Sequence, residues 1–150
     1  MKYKYNNDSH EIDNSKLVDD INMFEIFEHS YHGIVLTNPN IEDNPIVYAN
    51  CAFINLFKYQ LEDIIGKNCR FLQNDDREQK AIEQIRVAIE NKVPILTILR
   101  NYDKFGKLIY NELSINPIFD TKKEKVKYFL GIQKDVTKEQ NILQQLKSMF

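Results

Sequence analysis

The chain has 150 residues, of which 43% are hydrophobic and 28% are charged, and its formal net charge is −2. This length suits one domain with its own core, and the near-neutral charge gives no reason to expect binding to nucleic acid or to an anionic membrane. No apolar run approaches the length of a membrane span, and the N-terminal residues lack an apolar signal core. We therefore expect a cytoplasmic protein whose two cysteines, Cys51 and Cys69, are reduced thiols.

The N-terminal part of the chain is predicted to be an extension, residues 1–32, followed by short strands and helices. Residues 1–14 are polar and are expected to be loose. An apolar stripe predicts an amphipathic helix over Ser15–Ser30, with Leu17, Ile21, Phe24 and Phe27 on one face. The segments predicted next are strands at Gly33–Thr37 and Ile46–Ala49 and short helices around Cys51–Phe57, Leu61–Ile64 and Cys69–Gln73.

The second half is predicted to contain a longer helix over Asp76–Asn91, three strands and a final helix. Asp75 and Asp76 are interpreted as caps of the longer helix. The strands are Pro94–Tyr102, Lys107–Phe119 and Val126–Lys134, with a hairpin turn at residues 103–106. Thr137-Lys-Glu-Gln140 is interpreted as a capping box for a helix that carries Ile142, Leu143, Leu146, Met149 and Phe150. This order predicts an α+β fold with a five-stranded antiparallel sheet, a core at residues 33–137 and a C-terminal helix at residues 138–150.

Strand parity places one amide side chain on the inner face of each of three strands. Asn101, Asn111 and Gln133 are each in phase with apolar neighbours. A buried amide without partners costs about 1–3 kcal/mol, so three of them favour a ligand that needs donors and acceptors together, such as a flat heteroaromatic ring. Gly131 would leave room for its close approach. The alternative is that these amides pair with each other or with buried water.

Cys69 stands directly before Arg70 in the octapeptide Gly66-Lys-Asn-Cys-Arg-Phe-Leu-Gln73. A neighbouring positive charge favours the thiolate, so a reactive cysteine is expected here, and the alternative is a small buried hydrophobe. Arg70 and Arg86 lie on helical segments that flank the expected pocket and could hold a phosphate, with Arg77 as a further candidate. The alternative for the arginines is that they are solvated surface charges. No metal site is expected, because the histidines have no ligand spacing with a cysteine pair; they are His10, His29 and His32.

The octapeptide resembles the signature of LOV domains, the blue-light-sensing branch of the PAS fold. The resemblance runs from about Gly33 to Thr137. It includes the blocks Asp43-Asn-Pro-Ile-Val-Tyr48, Arg100-Asn-Tyr102, Tyr110-Asn-Glu-Leu113 and Tyr128-Phe-Leu-Gly-Ile-Gln133. It implies a PAS fold and a non-covalently bound flavin between the sheet and the helical middle. The segment after Gln73 is short, which favours FMN over FAD. Tyr110 stands where many members have Trp, and Leu113 where some have Phe.

The resemblance also implies roles for individual residues. Cys69 matches the cysteine that bonds to flavin C4a after blue-light excitation, and Gln133 matches the residue that contacts flavin O4 and N5 and relays the signal. Asn101 and Asn111 match residues that read the pyrimidine edge, and Arg70 and Arg86 match phosphate ligands. The other expected cofactor contacts are Thr37, Asn44, Asn68, Leu72, Gln73, Ile82, Ile85, Ile89, Leu99, Leu113, Ile115, Phe129 and Gly131. Cys51 matches no family nucleophile and is interpreted as a packed residue.

The resemblance is to short LOV proteins, which consist of a sensor core and terminal helices; the alternative is a piece of a longer protein. The apolar stripes of both terminal helices predict a homodimer, and the alternative is that each helix covers its own sheet. Two other classes compete with a photoreceptor: a light-independent flavin-binding redox module, and a PAS dimerisation module without a cofactor. An enzyme is not expected, because no acid–base pair or metal set converges. No downstream partner is predicted.

Overall fold

The computed structural model describes residues 21–150, together with the backbone of two short strands, β1 (Lys2–Lys4) and β2 (Glu11–Asp13). These two strands pair antiparallel, whereas residues 1–14 were expected to be loose. The elements that follow are α1 (Met23–Glu28), β3 (Gly33–Thr37), β4 (Ile46–Ala49), α2 (Cys51–Phe57), α3 (Leu61–Ile64), a 3₁₀ helix (Cys69–Gln73), α4 (Lys80–Asn91), β5 (Ile95–Tyr102), β6 (Leu108–Phe119), β7 (Val126–Asp135) and α5 (Thr137–Ser148). Within the described residues, no helix is both long and apolar enough to cross a membrane.

The main sheet has five antiparallel strands in the order β4-β3-β7-β6-β5, which confirms the predicted α+β fold. The central strand β7 places Gln133 opposite Gly33 of β3 on one side and opposite Leu113 of β6 on the other. Asn111 of β6 lies opposite Leu99 of β5. Because opposed residues share a face, all of these side chains point to the same side of the sheet.

The helical middle of the chain covers that inner face. Helix α2 begins after Asn50 and presents Phe53 and Phe57, which are four residues apart and have ring centroids 4.9 Å apart. Both rings are fully buried in a cluster that includes Val35, Ile46, Ile64 and Ile109. A second cluster of Ala81, Leu99 and Leu113 packs α4 against β5 and β6.

The two terminal helices lie on the outer face. Phe24 and Phe27 of α1 pack against Tyr48, with ring centroids 4.8 and 5.9 Å away. In α5, Gln144 Nε2 donates to the hydroxyl of Tyr110 at 3.0 Å. Tyr48 and Tyr110 have the opposite parity to the inward amides, so each terminal helix contacts the face of the sheet that the helical middle leaves uncovered.

Both terminal helices begin differently from the prediction. Helix α1 starts at Met23, because the Asn22 side chain accepts from the Phe24 amide at 3.0 Å and caps the helix there. It ends at Glu28, and Leu17 lies outside the described residues. The capping box at Thr137 is wrong: Val136 occupies the cap position, and the Thr137 hydroxyl instead accepts from the Tyr110 amide at 3.0 Å.

Helix α4 begins at Lys80, four residues later than predicted, because tertiary bonds use the side chains that would have capped it. The Asp76 carboxylate receives Arg100 at 2.7 and 2.8 Å and the Tyr102 hydroxyl at 2.7 Å. The Gln79 side chain donates to the Arg100 carbonyl at 2.9 Å and accepts from the Arg100 amide at 2.8 Å. The interpretation of Asp76 as a helix cap is therefore wrong, since residues 76–79 are tied to β5.

The stability of the fold is expected to depend on pH through Asp76. The bonds from Arg100 and Tyr102 lower the pKa of the Asp76 carboxyl to about 2. A carboxyl whose pKa is lower in the folded state stabilises the fold above its unfolded pKa, so this contribution should be lost as the pH falls from about 4 to about 2. In urea titrations, Asp76→Asn should lower the free energy of unfolding at neutral pH and reduce its further loss as the pH falls from about 4 to about 2. Asp75→Asn, which changes an exposed neighbour, should lose stability over this pH range as the parent protein does. The same dependence of the free energy of unfolding on pH in both variants would contradict the prediction.

Candidate functional site

A cavity of about 120 Å³ lies between the inner face of the sheet and the helical middle. A single water needs about 10–15 Å³ of such volume, so the cavity can hold a larger group. Most of the wall is apolar. The predicted residues that line it are Thr37, Asn44, Asn68, Cys69, Arg70, Leu72, Gln73, Ile85, Ile89, Leu99, Asn101, Leu113, Ile115, Phe129, Gly131 and Gln133.

Four residues depart from the predicted set. Asn111 is not on the cavity wall and lies one layer behind it, while Ile82 and Arg86 line a wider open groove that adjoins the cavity. Val35 lines the cavity but was not predicted. It is in phase with Thr37 on β3, so strand parity applied to that strand would have found it.

The three inward amides form a buried hydrogen-bonded layer. Asn111 Nδ2 donates to Asn101 Oδ1 at 3.0 Å and to Gln133 Oε1 at 2.8 Å, and each residue is at most 3% exposed. The alternative that these amides pair with each other therefore holds in part. The pairing still leaves Asn111 Oδ1 and Gln133 Nε2 buried without a partner among the described residues, and the same is true of Asn44 Oδ1. Each costs about 1–3 kcal/mol unless something else supplies the bond.

Gly131 gives the Gln133 amide its space. A Cβ atom at this position would lie 2.8 Å from Val35 Cγ1 and 3.1 Å from Gln133 Nε2. The first distance is shorter than a carbon–carbon contact allows, so any larger residue would push Val35 or the Gln133 amide. The glycine therefore leaves space for the Gln133 amide at the cavity wall, whereas the close approach of a ligand stays a prediction.

Cys69 lies at the start of the 3₁₀ helix and reaches the cavity wall. The preceding residue, Asn68, caps this helix by accepting from the Arg70 amide at 3.0 Å. Burial raises the pKa of the Cys69 thiol to about 12, and the charge of Arg70 offsets only part of that effect. The expectation that Arg70 would favour a thiolate is therefore outweighed, and the thiol is protonated at neutral pH. Cys51 is exposed, so its interpretation as a packed residue is wrong, and it is not on the wall.

The predicted arginines line the groove beside the cavity, and Arg77 lines it with them. Arg70 is held by Asp43 through two bonds of 2.7 and 2.5 Å, and Arg86 pairs with Glu83 and Glu90 of its own helix. Arg77 differs, because its Nε donates to the Asn74 carbonyl at 2.8 Å and no carboxylate in the described residues pairs with it. Of the three guanidinium groups, Arg77 is the one that forms no ion pair with a carboxylate among the described residues.

The amide layer is connected to the last helix through one corner of the sheet. Tyr110, which precedes Asn111, accepts from the Val136 amide at 2.8 Å and donates its own amide to the Thr137 hydroxyl at 3.0 Å. Asp135 accepts from the Thr137 amide at 3.0 Å. The bonds of Tyr110 therefore join the strand that carries Asn111 to the cap and the first residue of α5. No group of three or more potential metal ligands converges in the part of the chain that the structure describes.

A family model described as a PAS domain matches residues 32–138. The chain belongs to the PAS family. Sequence relatives and solved structures place it in the LOV branch, which confirms the resemblance seen in the octapeptide. This LOV domain is 44% identical over 109 residues to a blue-light photoreceptor of Listeria innocua, an alignment that covers 73% of this chain and 42% of the relative.

Other known proteins agree with this assignment. Phototropin-1A of Oryza sativa is 38% identical over 117 residues, covering 78% of this chain and 13% of the relative. A solved structure of an RNA-binding Light-Oxygen-Voltage receptor superposes with a TM-score of 0.81 at 28% identity, covering 98% of this chain and 40% of that one. The LOV domain described here thus spans less than half the length of each of these relatives.

Proposed function

We propose that this LOV domain is a blue-light photoreceptor that binds FMN and forms a reversible bond between Cys69 and the flavin. The observation that carries the proposal is that a protonated thiol and unpaired polar atoms, Asn44 Oδ1 and Gln133 Nε2, converge on one cavity. The similarity to a blue-light photoreceptor supports it. The process is bond formation within the receptor, so no substrate is turned over.

The amide layer is suited to the edge of a flavin ring. The pyrimidine part of the ring presents carbonyl oxygens and an N–H group side by side, and it needs both donors and acceptors. Gln133 Nε2 offers a donor at the cavity wall, and the Asn101 amide lines the same wall. Asn111, one layer behind, holds both amides through its Nδ2. The apolar side chains of Leu99, Leu113 and Phe129 beside them suit the flat faces of the ring.

The groove beside the cavity is suited to the phosphate end of FMN. Exposed ion pairs contribute about 0–1 kcal/mol, so a phosphate can replace a carboxylate on Arg86 at little cost. Arg70 bonds to Asp43 through its two terminal nitrogens and can offer its Nε to the phosphate. Arg77 has no carboxylate to replace among the described residues and is the guanidinium most ready to bind a phosphate. The groove thereby favours FMN over riboflavin, which lacks the phosphate.

Replacing Arg77 by glutamine is expected to weaken FMN binding without affecting riboflavin. A charge-assisted hydrogen bond contributes about 1.5–3 kcal/mol, so the dissociation constant for FMN should rise about tenfold to a hundredfold. Fluorescence titration of the flavin-free protein with each ligand measures both constants. Lys138→Gln, which removes an exposed cation of α5 outside the groove, is the matched control. An equal loss for FMN and riboflavin in Arg77→Gln would contradict a phosphate contact.

When bound, the flavin would supply a light-excited ring that can form a bond to a thiol sulfur. Cys69 would supply both the sulfur and the thiol proton, which passes to a ring nitrogen, so no further reactant is needed. The residues of this chain prepare that step in two ways. Burial keeps the Cys69 thiol protonated, so the proton is available. Gln133 Nε2 is a donor without a partner among the described residues. If a neighbouring hydrogen-bond acceptor becomes a donor, the amide can rotate and present its oxygen instead.

Gln133 is proposed to relay that change to the terminal helices. Its Oε1 already accepts from Asn111, so rotation of the amide would exchange a donor and an acceptor within the buried layer. Asn111 is next to Tyr110, which is bonded to Val136, Thr137 and Gln144 at the start and middle of α5. A small rearrangement at the cavity would therefore alter the bonds that hold α5 to the sheet.

The visible spectrum of the purified protein before and after a blue flash tests the photoreceptor proposal directly. We expect a blue-absorbing flavin band that bleaches after the flash and recovers in darkness. A flavin band that is identical in light and dark would instead favour a light-independent redox module. A protein that remains colourless after incubation with FMN would favour a PAS dimerisation module.

We also propose that the terminal helices form a homodimer. The apolar side chains Ile142, Leu143 and Leu146 of α5 are 47–49% exposed, and Met23, Phe24 and Ile26 of α1 are 50–54% exposed. Each helix therefore covers the sheet with only part of its apolar surface, and a second copy could cover the rest. Light scattering coupled to size exclusion, in darkness and under blue light, measures the mass in each state. A monomer under both conditions would refute the dimer.

A further inference from the structure

Asp43 contacts the residues on both sides of Cys69. Its backbone carbonyl accepts from Asn68 Nδ2 at 2.8 Å, and its carboxylate receives both terminal nitrogens of Arg70 at 2.7 and 2.5 Å. Asn68 Oδ1 also accepts from the Arg70 amide at 3.0 Å, so the two neighbours of Cys69 are bonded to each other as well. The two neighbours of Cys69 are thus joined in one hydrogen-bond network with Asp43, a residue from a loop distant in the sequence.

These side-chain bonds continue a backbone pairing that stops just before Cys69. The Ile46 amide donates to the Lys67 carbonyl at 2.8 Å, and the Gly66 amide donates to the Ile46 carbonyl at 2.9 Å. The segment that leads into the 3₁₀ helix is thereby connected to the first residue of β4, which follows the loop that carries Asp43. Asp43 extends this connection past the cysteine to Arg70.

The same loop carries backbone strain that these bonds can hold. Asp43 and Asn44 both have left-handed φ angles, 68° and 47°. Asp and Asn tolerate this region better than other residues with a Cβ, but two in succession require support from their surroundings. The loop also supplies Asn44, whose unpaired Oδ1 is at the cavity wall. One anchor therefore acts on the loop that positions Asn44 and on the helix that positions Cys69.

We propose that Asp43 is a positioning residue for Cys69: by holding Asn68 and Arg70 it sets where the thiol stands in the cavity. Its role in a photocycle rests on the proposed function, whereas its hold on the thiol is a property of the protein alone. The carboxylate also engages the charge of Arg70 beside the sulfur. Removal of the Asp43 carboxylate would weaken the hydrogen-bond network on both sides of Cys69. It would also leave the charge of Arg70 free to stabilise the thiolate.

Asp43→Asn tests the proposal, because asparagine keeps the left-handed backbone and the carbonyl bond to Asn68 but cannot form the ion pair. Glu42→Gln makes the same change in charge at the adjacent residue and is the matched control. Both are made in a Cys51→Ser background, so that Cys69 is the one thiol of the chain. The first readout is the rate at which iodoacetamide alkylates Cys69 in the flavin-free protein. We expect Asp43→Asn to react roughly three to ten times faster, as for a pKa fall of up to about one unit, and Glu42→Gln to react at the parent rate.

The second readout is the photocycle of the FMN-loaded variants. Asp43→Asn should bleach with a lower yield per photon and recover severalfold faster, while its urea midpoint stays near the parent value, because exposed ion pairs contribute little to stability. Alkylation and recovery rates in Asp43→Asn that both equal those of Glu42→Gln would overturn the proposal. If the parent protein binds no flavin or does not bleach, the proposed function fails, and the alkylation rates alone still decide the role of Asp43.

Discussion

Replacement of Cys69 by alanine is expected to abolish light-induced bleaching while leaving the dark flavin spectrum in place. Cys69 carries the only sulfur among the described side chains that line the cavity, and the amides proposed to bind the ring do not depend on it. The loss of one small contact of about 1 kcal/mol should lower the affinity for FMN no more than about fivefold. Absorbance at the flavin band, followed for hours after a saturating blue flash, measures the bleach and its recovery.

The chain supplies its own control for this experiment. Cys51 is exposed at the start of α2, and its backbone amide donates to Glu28 at 3.1 Å, far from the cavity wall. Cys51→Ser should therefore bleach and recover like the parent protein. A Cys69→Ala protein that still bleached and recovered with the kinetics of the parent protein would refute the proposal that Cys69 bonds to the flavin. A Cys51→Ser protein that lost the bleach would show that the wrong thiol had been assigned.

Replacement of Asn50 by alanine is expected to cause the largest loss of stability. This side chain is fully buried, and every one of its hydrogen-bonding groups is used. Its Oδ1 accepts from the amides of Ile34 at 2.8 Å and Phe53 at 3.0 Å, and its Nδ2 donates to the carbonyls of Phe27 at 2.8 Å and His32 at 3.1 Å. It caps α2 and joins that helix to β3 and to the end of α1.

Loss of a helix cap costs about 0.5–2 kcal/mol, and each buried group left without a partner costs about 1–3 kcal/mol. We therefore expect Asn50→Ala to lower the free energy of unfolding by about 3–5 kcal/mol, a large part of the about 5–15 kcal/mol of a typical domain. Urea titration followed by far-ultraviolet circular dichroism measures it. The control is Asn91→Ala, an exposed amide bonded only to the Val87 carbonyl, which should change stability by about 0.5 kcal/mol or less. Equal midpoints for the two variants would contradict this account.

The two kinds of buried amide in this protein show what local sequence can and cannot indicate. Asn101, Asn111 and Gln133 were recognised as inward from strand parity, because side chains alternate between the faces of a strand whatever the rest of the chain does. Asn50 was not singled out, although its bond to the Phe53 amide is a local helix cap. Its partners in α1, β3 and the segment before β3 are 16 to 23 residues away, and no local spacing brings them together. Both kinds are equally buried, and only the structure separates the saturated amide from those that leave atoms unpaired.

Two departures from the sequence predictions, at the starts of α4 and α5, have the same cause. The start of α4 moved to Lys80 because Asp76 and Gln79 bond to β5, and the capping box at Thr137 failed because its hydroxyl bonds to Tyr110. In both cases, a side chain that could cap the helix locally forms hydrogen bonds with a residue of a strand distant in the sequence. Local preferences of about 1 kcal/mol are readily outweighed by such bonds when the side chains are partly buried.

The sequence by itself determined the order of the elements from β3 to α5, the inner face of β5, β6 and β7, and the cysteine beside Arg70, since each follows from neighbours along the chain. The tertiary structure decided the charge state of the thiol, because burial outweighs the adjacent arginine and raises the pKa of Cys69 to about 12. It also decided that Arg70 is held by Asp43, and that Asn111 stands behind the cavity wall. Desolvation and ion pairing depend on groups that only the folded chain brings within a few ångströms, which is why no pattern in the sequence indicated them.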